Sequence, residues 1–199
     1  KRFSLVFRAY DDGMAYRFVS HLKGQYQIEQ EFVNFNFAED WNMWAGYVAH
    51  NTYSLEGQYF TSNEAQYTYA PLSQWNKDRI AFLPLMVDGP HGKKIVVTEA
   101  DNRDYPCFYL YNNEGGKNLS GRFPAVPKDV KQGGHNMLQM VVESREPYIA
   151  RCEGETEFPW RIIAVSEKDI HMADNDMVFR LAEPADPATD WSWVKPGKV

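Results

Sequence analysis

Ile95-Val96-Val97-Thr98-Glu99-Ala100-Asp101 runs into Asn102-Arg103-Asp104-Tyr105-Pro106 and then Cys107-Phe108-Tyr109-Leu110-Tyr111. The outer blocks are rich in β-branched and aromatic side chains, which suit a pleated, half-buried surface. They read as two strands separated by an acidic turn. Asp101 and Asp104 read as turn-formers, because Asp bonds its own backbone in turns. Glu99 sits where the first strand leaves its sheet, and rigid backbone there aims a carboxylate well for service as a ligand or a base. A solvated strand-end acid, or one paired with Arg103 or Arg161, is the competing reading.

The strand pattern continues outward. Ala81 to Val87 forms a strand that Asp88-Gly89-Pro90-His91-Gly92 turns back into Lys93 to Glu99. Phe3, Leu5 and Phe7 alternate as a half-buried strand, Asp11-Asp12-Gly13 supplies hairpin chemistry, and Met14, Tyr16 and Phe18 return. Tyr26 to Phe37 is mostly extended, with the alternation breaking near Glu31. Met137 to Val142 and Phe158 to Val165 are further strands, and Met177, Phe179 and Leu181 alternate as a last one. Asn112 to Gly116 is a turn, and Lys117 to Gly134, rich in Gly, Pro and Lys, reads as an exposed excursion. Between Glu39 and Lys77 the pattern is irregular and aromatic, with one helical turn expected at Asn63–Tyr67 capped by Ser62. A second short helix is expected after Ser166, which would cap it. Many short strands with Gly and Asp turns make the chain mainly β, an antiparallel β-sandwich with few short helices.

Composition narrows the function. Among 199 residues, 21 basic against 27 acidic side chains give a net charge of −6, which lacks the basic footprint of a nucleic-acid partner. The longest apolar run, Ala81 to Val87, is too short to cross a bilayer, so no membrane partner is expected. The five histidines show no zinc-hydrolase spacing. There is no GxSxG elbow and no GxGxxG. Asp174-Asn175-Asp176 begins like a calcium loop but has Phe179 and Ala185 where Gly and Glu are needed. Cys107 and Cys152 have no CxxC spacing, and whether they pair is left open.

Four segments, in order, resemble one family. They are Phe7-Arg8-Ala9-Tyr10-Asp11-Asp12-Gly13-Met14-Ala15-Tyr16-Arg17-Phe18, the Val97–Pro106 acidic turn, Pro159-Trp160-Arg161-Ile162-Ile163, and Ser192-Trp193-Val194-Lys195-Pro196-Gly197-Lys198. The chain resembles the N-terminal domain of glycoside hydrolase family 97, the α-glucosidases and α-galactosidases of gut Bacteroidetes. The resemblance implies a β-supersandwich of the galactose-mutarotase type over residues 1–189, truncated at its N-terminus, with 190–199 as a linker toward an absent (β/α)₈ catalytic barrel. It implies an exo-acting glycosidase of α-linked oligosaccharides, periplasmic or secreted, with calcium in the active site and Glu99 as the ligand lent from this domain. The catalytic residues would lie outside the chain, leaving the fragment inactive. Trp160 and Arg161 are candidate supports for the acidic strand end. A free-standing carbohydrate-binding β-sandwich using the aromatics between Trp41 and Trp75 is the alternative.

Overall fold

The computed structural model describes residues 2–48, 54–60, 64–112, 114–195 and 197. The chain opens with the hairpin β1 (Phe3–Tyr10) and β2 (Gly13–Ser20), paired in full register around Asp11-Asp12. At Gly13 the backbone takes φ +150, and a Cβ would lie 2.4 Å from the carbonyl oxygen of Ile163. Only glycine fits there. The expected extended run 26–37 splits into β3 (Gln25–Ile28) and β4 (Asn34–Asn36), with Glu31 in the linker between them. The irregular aromatic region contains β5 (Asn42–Tyr47) and β6 (Thr68–Pro71). Ser62 and Asn63 of the expected helical turn lie outside the described residues, and residues 64–67 are not helical.

The hairpin β7 (Ala81–Asp88) and β8 (Lys94–Ala100) forms as the sequence predicts, followed by β9 (Tyr109–Tyr111). The segment 117–134 is not an excursion. It holds β10 (Asn118–Arg122), which joins the main sheet, and β11 (Pro127–Gly133), which pairs with β12 (Gln139–Arg145) in a separate, mostly exposed hairpin. The signal was masked because the main-sheet part is short and the hairpin strand is polar. β13 (Ala150–Glu153) pairs with β3, and β14 (Thr156–Glu157) and β15 (Trp160–Ser166) flank Pro159.

The main sheet runs β1-β2-β15-β8-β7-β9-β10-β4, with β5 and β6 branching from β7, and every pair is antiparallel. It curls so that Val97, Leu85, Leu110, Leu119 and Phe35 enclose the larger core with Met43 and Tyr47. On the opposite face Ala15, Trp160, Ile162 and Ala164 form a second core.

That second core explains a correction. Met177–Leu181 is not a strand but the helix α2, following α1 (Asp169–Ala173). In a helix residues 177 and 181 share one face while 179 points away. Met177 and Leu181 accordingly close the second core, and Phe179 is 82% exposed. Burying the two apolar side chains contributes roughly 1.5–3 kcal/mol each, which the strand arrangement would forgo. Ser166 does not cap α1; its hydroxyl donates to the carbonyl of Lys168. The row Phe3, Leu5 and Phe7, expected to be half-buried, is exposed among the described residues.

Candidate functional site

The antiparallel register sets Arg161 of β15 directly opposite Glu99 of β8 and, on its other side, opposite Tyr16 of β2. Directly opposed residues share a sheet face, so Tyr16, Arg161 and Glu99 form one row. The neighbouring Trp160 points to the other face, as alternation requires.

Arg161 is the centre of the arrangement. Its Nε and Nη2 donate to the two carboxylate oxygens of Glu31 at 2.8 and 2.7 Å, and its Nη1 donates to Oε2 of Glu99 at 2.7 Å. The side chains of Arg161, Glu31 and Glu99 are 1%, 9% and 13% exposed. Phe108 and Phe123 lie against the guanidinium, 4.8 and 5.3 Å from ring centre to Cζ. The Tyr105 hydroxyl donates to Glu31 at 2.8 Å. Burial, then the negative charge of Glu31, pushes the Tyr105 hydroxyl well above its usual range, so it stays a donor. Glu31 holds Arg161 in a two-bonded fork, the geometry that guanidinium and carboxylate favour.

Of the competing readings for Glu99, the ion pair with Arg161 is the one observed; the side chain is not solvated, and Arg103 bonds Asp101 and Glu183 instead. The other oxygen of Glu99 accepts the Asn102 amide at 3.2 Å. Burial raises its carboxyl above the ordinary range, and this outweighs the opposing pull of Arg161 and the bonds from Asn102 and the Phe108 amide. Glu31 and Arg161 cancel, leaving one buried negative charge short of a counter-ion.

Behind the strand end, Trp160 is stacked between two arginines, with Arg8 and Arg17 each 4.7 Å from its ring centre. Arg17 reaches Asp101 at 3.4 Å and pairs with Glu157. Arg161 bonds Glu99 directly, whereas Trp160 meets the acidic turn only through Arg17. Asp101 and Asp104 take left-handed backbone angles, φ +55 and +49, in keeping with turn-formers. Sequence reading missed Glu31, Tyr105 and Arg17. The only trace of Glu31 was the broken alternation around it, because its partner lies 130 positions away.

Among the described residues, no group of three or more His, Cys, Asp or Glu gathers as a metal cluster. Glu99 does fit the part of a single donor in a shared site. Its carboxylate has about four acceptor sites against three bonds, from Arg161, Asn102 and the Phe108 amide, and the net negative charge of the cluster suits a cation. Calcium takes six to eight oxygens, so the others must come from elsewhere. Cys107 and Cys152 are free thiols. Of the aromatics between Trp41 and Trp75, Trp75 is core while Trp44, Tyr67 and Tyr69 are exposed, and Tyr53 lies outside the described residues.

A curled antiparallel sheet with a buried Glu–Arg–Glu cluster at one strand end defines the class: an antiparallel β-sandwich domain. The Glycosyl-hydrolase 97 N-terminal model matches residues 1–184. The chain belongs to glycoside hydrolase family 97 and is its N-terminal domain. It is 40% identical over 200 residues to a retaining alpha-galactosidase of Bacteroides thetaiotaomicron, with all of this chain and 30% of that protein covered. A glycoside hydrolase family 97 enzyme from Pseudoalteromonas sp. strain K8, solved with acarbose, superposes at TM-score 0.68 with 22% identity, covering 98% of this chain and 25% of that one. A beta-arabinopyranosidase superposes at TM-score 0.60 with 18% identity, covering 83% and 25%. The chain thus spans less than a third of the curated relative's length.

Proposed function

We propose that this domain belongs to an exo-acting α-glycosidase, where it supports a (β/α)₈ catalytic barrel and lends Glu99 to an active-site calcium. The observation that carries the reading is the charge count at Arg161: Glu31 neutralises the guanidinium, so Glu99 keeps its charge for a cation. Bound there, calcium would orient substrate or water and shift neighbouring acids. The role of this chain is to hold one oxygen ligand. Arg161 fixes the Glu99 carboxylate by one oxygen, and Asn102 steadies the other.

Residues 190–199 would lead to the barrel, where the acid, base or nucleophile reside, so the 199-residue chain alone turns over no glycoside. The 40% identical relative makes retention at an α-galactoside the first specificity to test, and the separation of the barrel carboxylates would decide the stereochemistry. A periplasmic or secreted location fits a supply of α-linked oligosaccharides. The test is calorimetric calcium binding and galactoside turnover by the full-length enzyme with and without Glu99→Ala. Weakened calcium binding with loss of rate is the expected result. Unchanged affinity and rate would remove Glu99 from the mechanism.

A further inference from the structure

We propose that the β11–β12 hairpin is an arm that docks, by its apolar tip and face, on the catalytic domain of the same polypeptide. The identity of that partner rests on the reading of the parent as a barrel-bearing glycosidase. The arm itself is read from the hairpin.

Strand alternation gives the ribbon two unlike faces. Lys131 and Glu143 pair on one of them. Val130 opposite Val142, and Gln132 opposite Met140, occupy the other, where Val130 is 46% and Met140 58% exposed. At the tip Met137 and Leu138 are 57% and 82% exposed. The tip is built rather than slack. Gly134 takes φ +66, where a Cβ would strike the Gln139 side chain. The His135 amide donates to Oε1 of Gln139 at 3.0 Å, and Nε2 of Gln132 donates to the carbonyl of Met137 at 2.8 Å. Asn136 and Met137 sit at φ +52 and +57, an uncommon state for a residue as long as methionine. Two glutamines thus hold a strained turn that presents apolar side chains to water.

Among the described residues the ribbon pairs with no strand of the main sheet, and no side chain from 127 to 145 belongs to a core. An isolated two-stranded ribbon is marginal in water, so a contact from outside would steady it. No residue from Gln132 to Val142 is Asp, Glu, Lys or Arg, in a chain that is 24% charged. Missing charge and exposed methionine are the makeup of an interface centre, and they give a polyanion or a polycation nothing to hold.

Two observations select the catalytic domain over a second copy. The root of the arm is fixed beside the Glu99 cluster: Nη1 of Arg145 donates to the carbonyl of Ala125 at 2.6 Å, the Val126 amide donates to the carbonyl of Tyr148 at 3.0 Å, and Phe123 just before them lies on the Arg161 guanidinium. The arm therefore springs from the cluster that presents Glu99. Four exposed apolar side chains also fall far short of the roughly 20–30 residues a side that hold separate molecules together. A tethered domain needs less, because its effective concentration reaches about the millimolar range. This chain covers 30% of its curated relative, which leaves room for such a domain.

Hydrogen exchange read by mass spectrometry, on the full-length enzyme and on the 199-residue chain, tests the arm, and the β7–β8 amides check that both are folded. Amides of 127–145 should be about tenfold or more better protected in the full-length enzyme. Leu138→Ser combined with Met140→Ser should remove that difference, whereas Phe179→Ser, at an equally exposed position on α2, should leave it. Equal protection in the two proteins, a difference that survives the double variant, or one that Phe179→Ser also abolishes overturns the proposal. Protection that rises with protein concentration assigns the tip to a second copy and overturns it as well. Calcium affinity and galactoside turnover of the unsubstituted full-length enzyme are read separately, so the arm and the glycosidase reading fail independently.

Discussion

Glu31→Gln is the sharpest test of the buried Arg161 arrangement, because it keeps shape and removes one charge. Glu31 accepts three bonds, two from Arg161 and one from Tyr105. Its Oε2 takes Nη2 and the tyrosine hydroxyl, so glutamine best keeps its oxygen there. Its amide nitrogen then faces Nε of Arg161, donor against donor. One charge-assisted bond is lost, worth about 1.5–3 kcal/mol. The guanidinium, 1% exposed, also loses the counter-ion that holds it by two bonds. Breaking a buried pair costs about 3–5 kcal/mol, and the remaining pairing with Glu99 places this case at the lower end, about 3 kcal/mol. For a chain of this size that lowers the melting temperature by about 6–12 °C.

Urea denaturation followed by circular dichroism should show the midpoint falling with an unchanged slope. Glu29→Gln, two residues away and exposed, is the control and should stay within about 0.5 kcal/mol. The same substitution has a second readout that mere destabilisation would not produce. With Glu31 neutral, Arg161 draws all its compensation from Glu99, and calcium affinity of the folded full-length enzyme should fall about 10–100-fold, as for other groups that orient a ligand. A stability loss below about 1 kcal/mol, or unaltered calcium affinity, would refute the charge count.

Two further outcomes follow from the packing and from a well-bonded, partly buried aspartate. Burial pushes the Asp88 carboxyl up, but the bonds from Lys94 and Tyr69 outweigh this and hold it below its ordinary value of 3.8. Stability from a depressed carboxyl is present above the unfolded value and lost as pH falls through the folded one. Asp88→Asn should therefore cost about 1 kcal/mol near neutral pH, with the gap to the native chain closing in thermal melts as pH falls below the ordinary carboxyl value of 3.8. Met177→Ala should cost about 2–5 kcal/mol in urea unfolding by opening the second core, whereas Phe179→Ser should change stability by less than about 0.5 kcal/mol. Equal losses at both positions would favour the alternating strand over the helix.

What the sequence disclosed and what it hid divide along the range of the interactions. The β7–β8 hairpin was legible because apolar alternation, a Gly-Pro turn and β-branched residues agree within about twenty positions. Glu99 was legible as a strand-end acid for the same local reason. Its neighbours were not: Arg161 lies 62 positions after it and Glu31 68 before it; antiparallel register sets Arg161 beside Glu99, and the linker between β3 and β4 carries Glu31 to the guanidinium. The helix at 177–181 failed for a different cause. Within these five residues Met177, Phe179 and Leu181 satisfy a two-residue period, and Met177 and Leu181 a helical one. The choice falls to tertiary packing, since the outer face of β15 needs a cover that two residues on one helical face supply. The same logic explains why Arg161 reads as an ordinary strand residue. Its meaning lies in two carboxylates that share it, and sharing leaves Glu99 with a charge that no residue adjacent in sequence reveals.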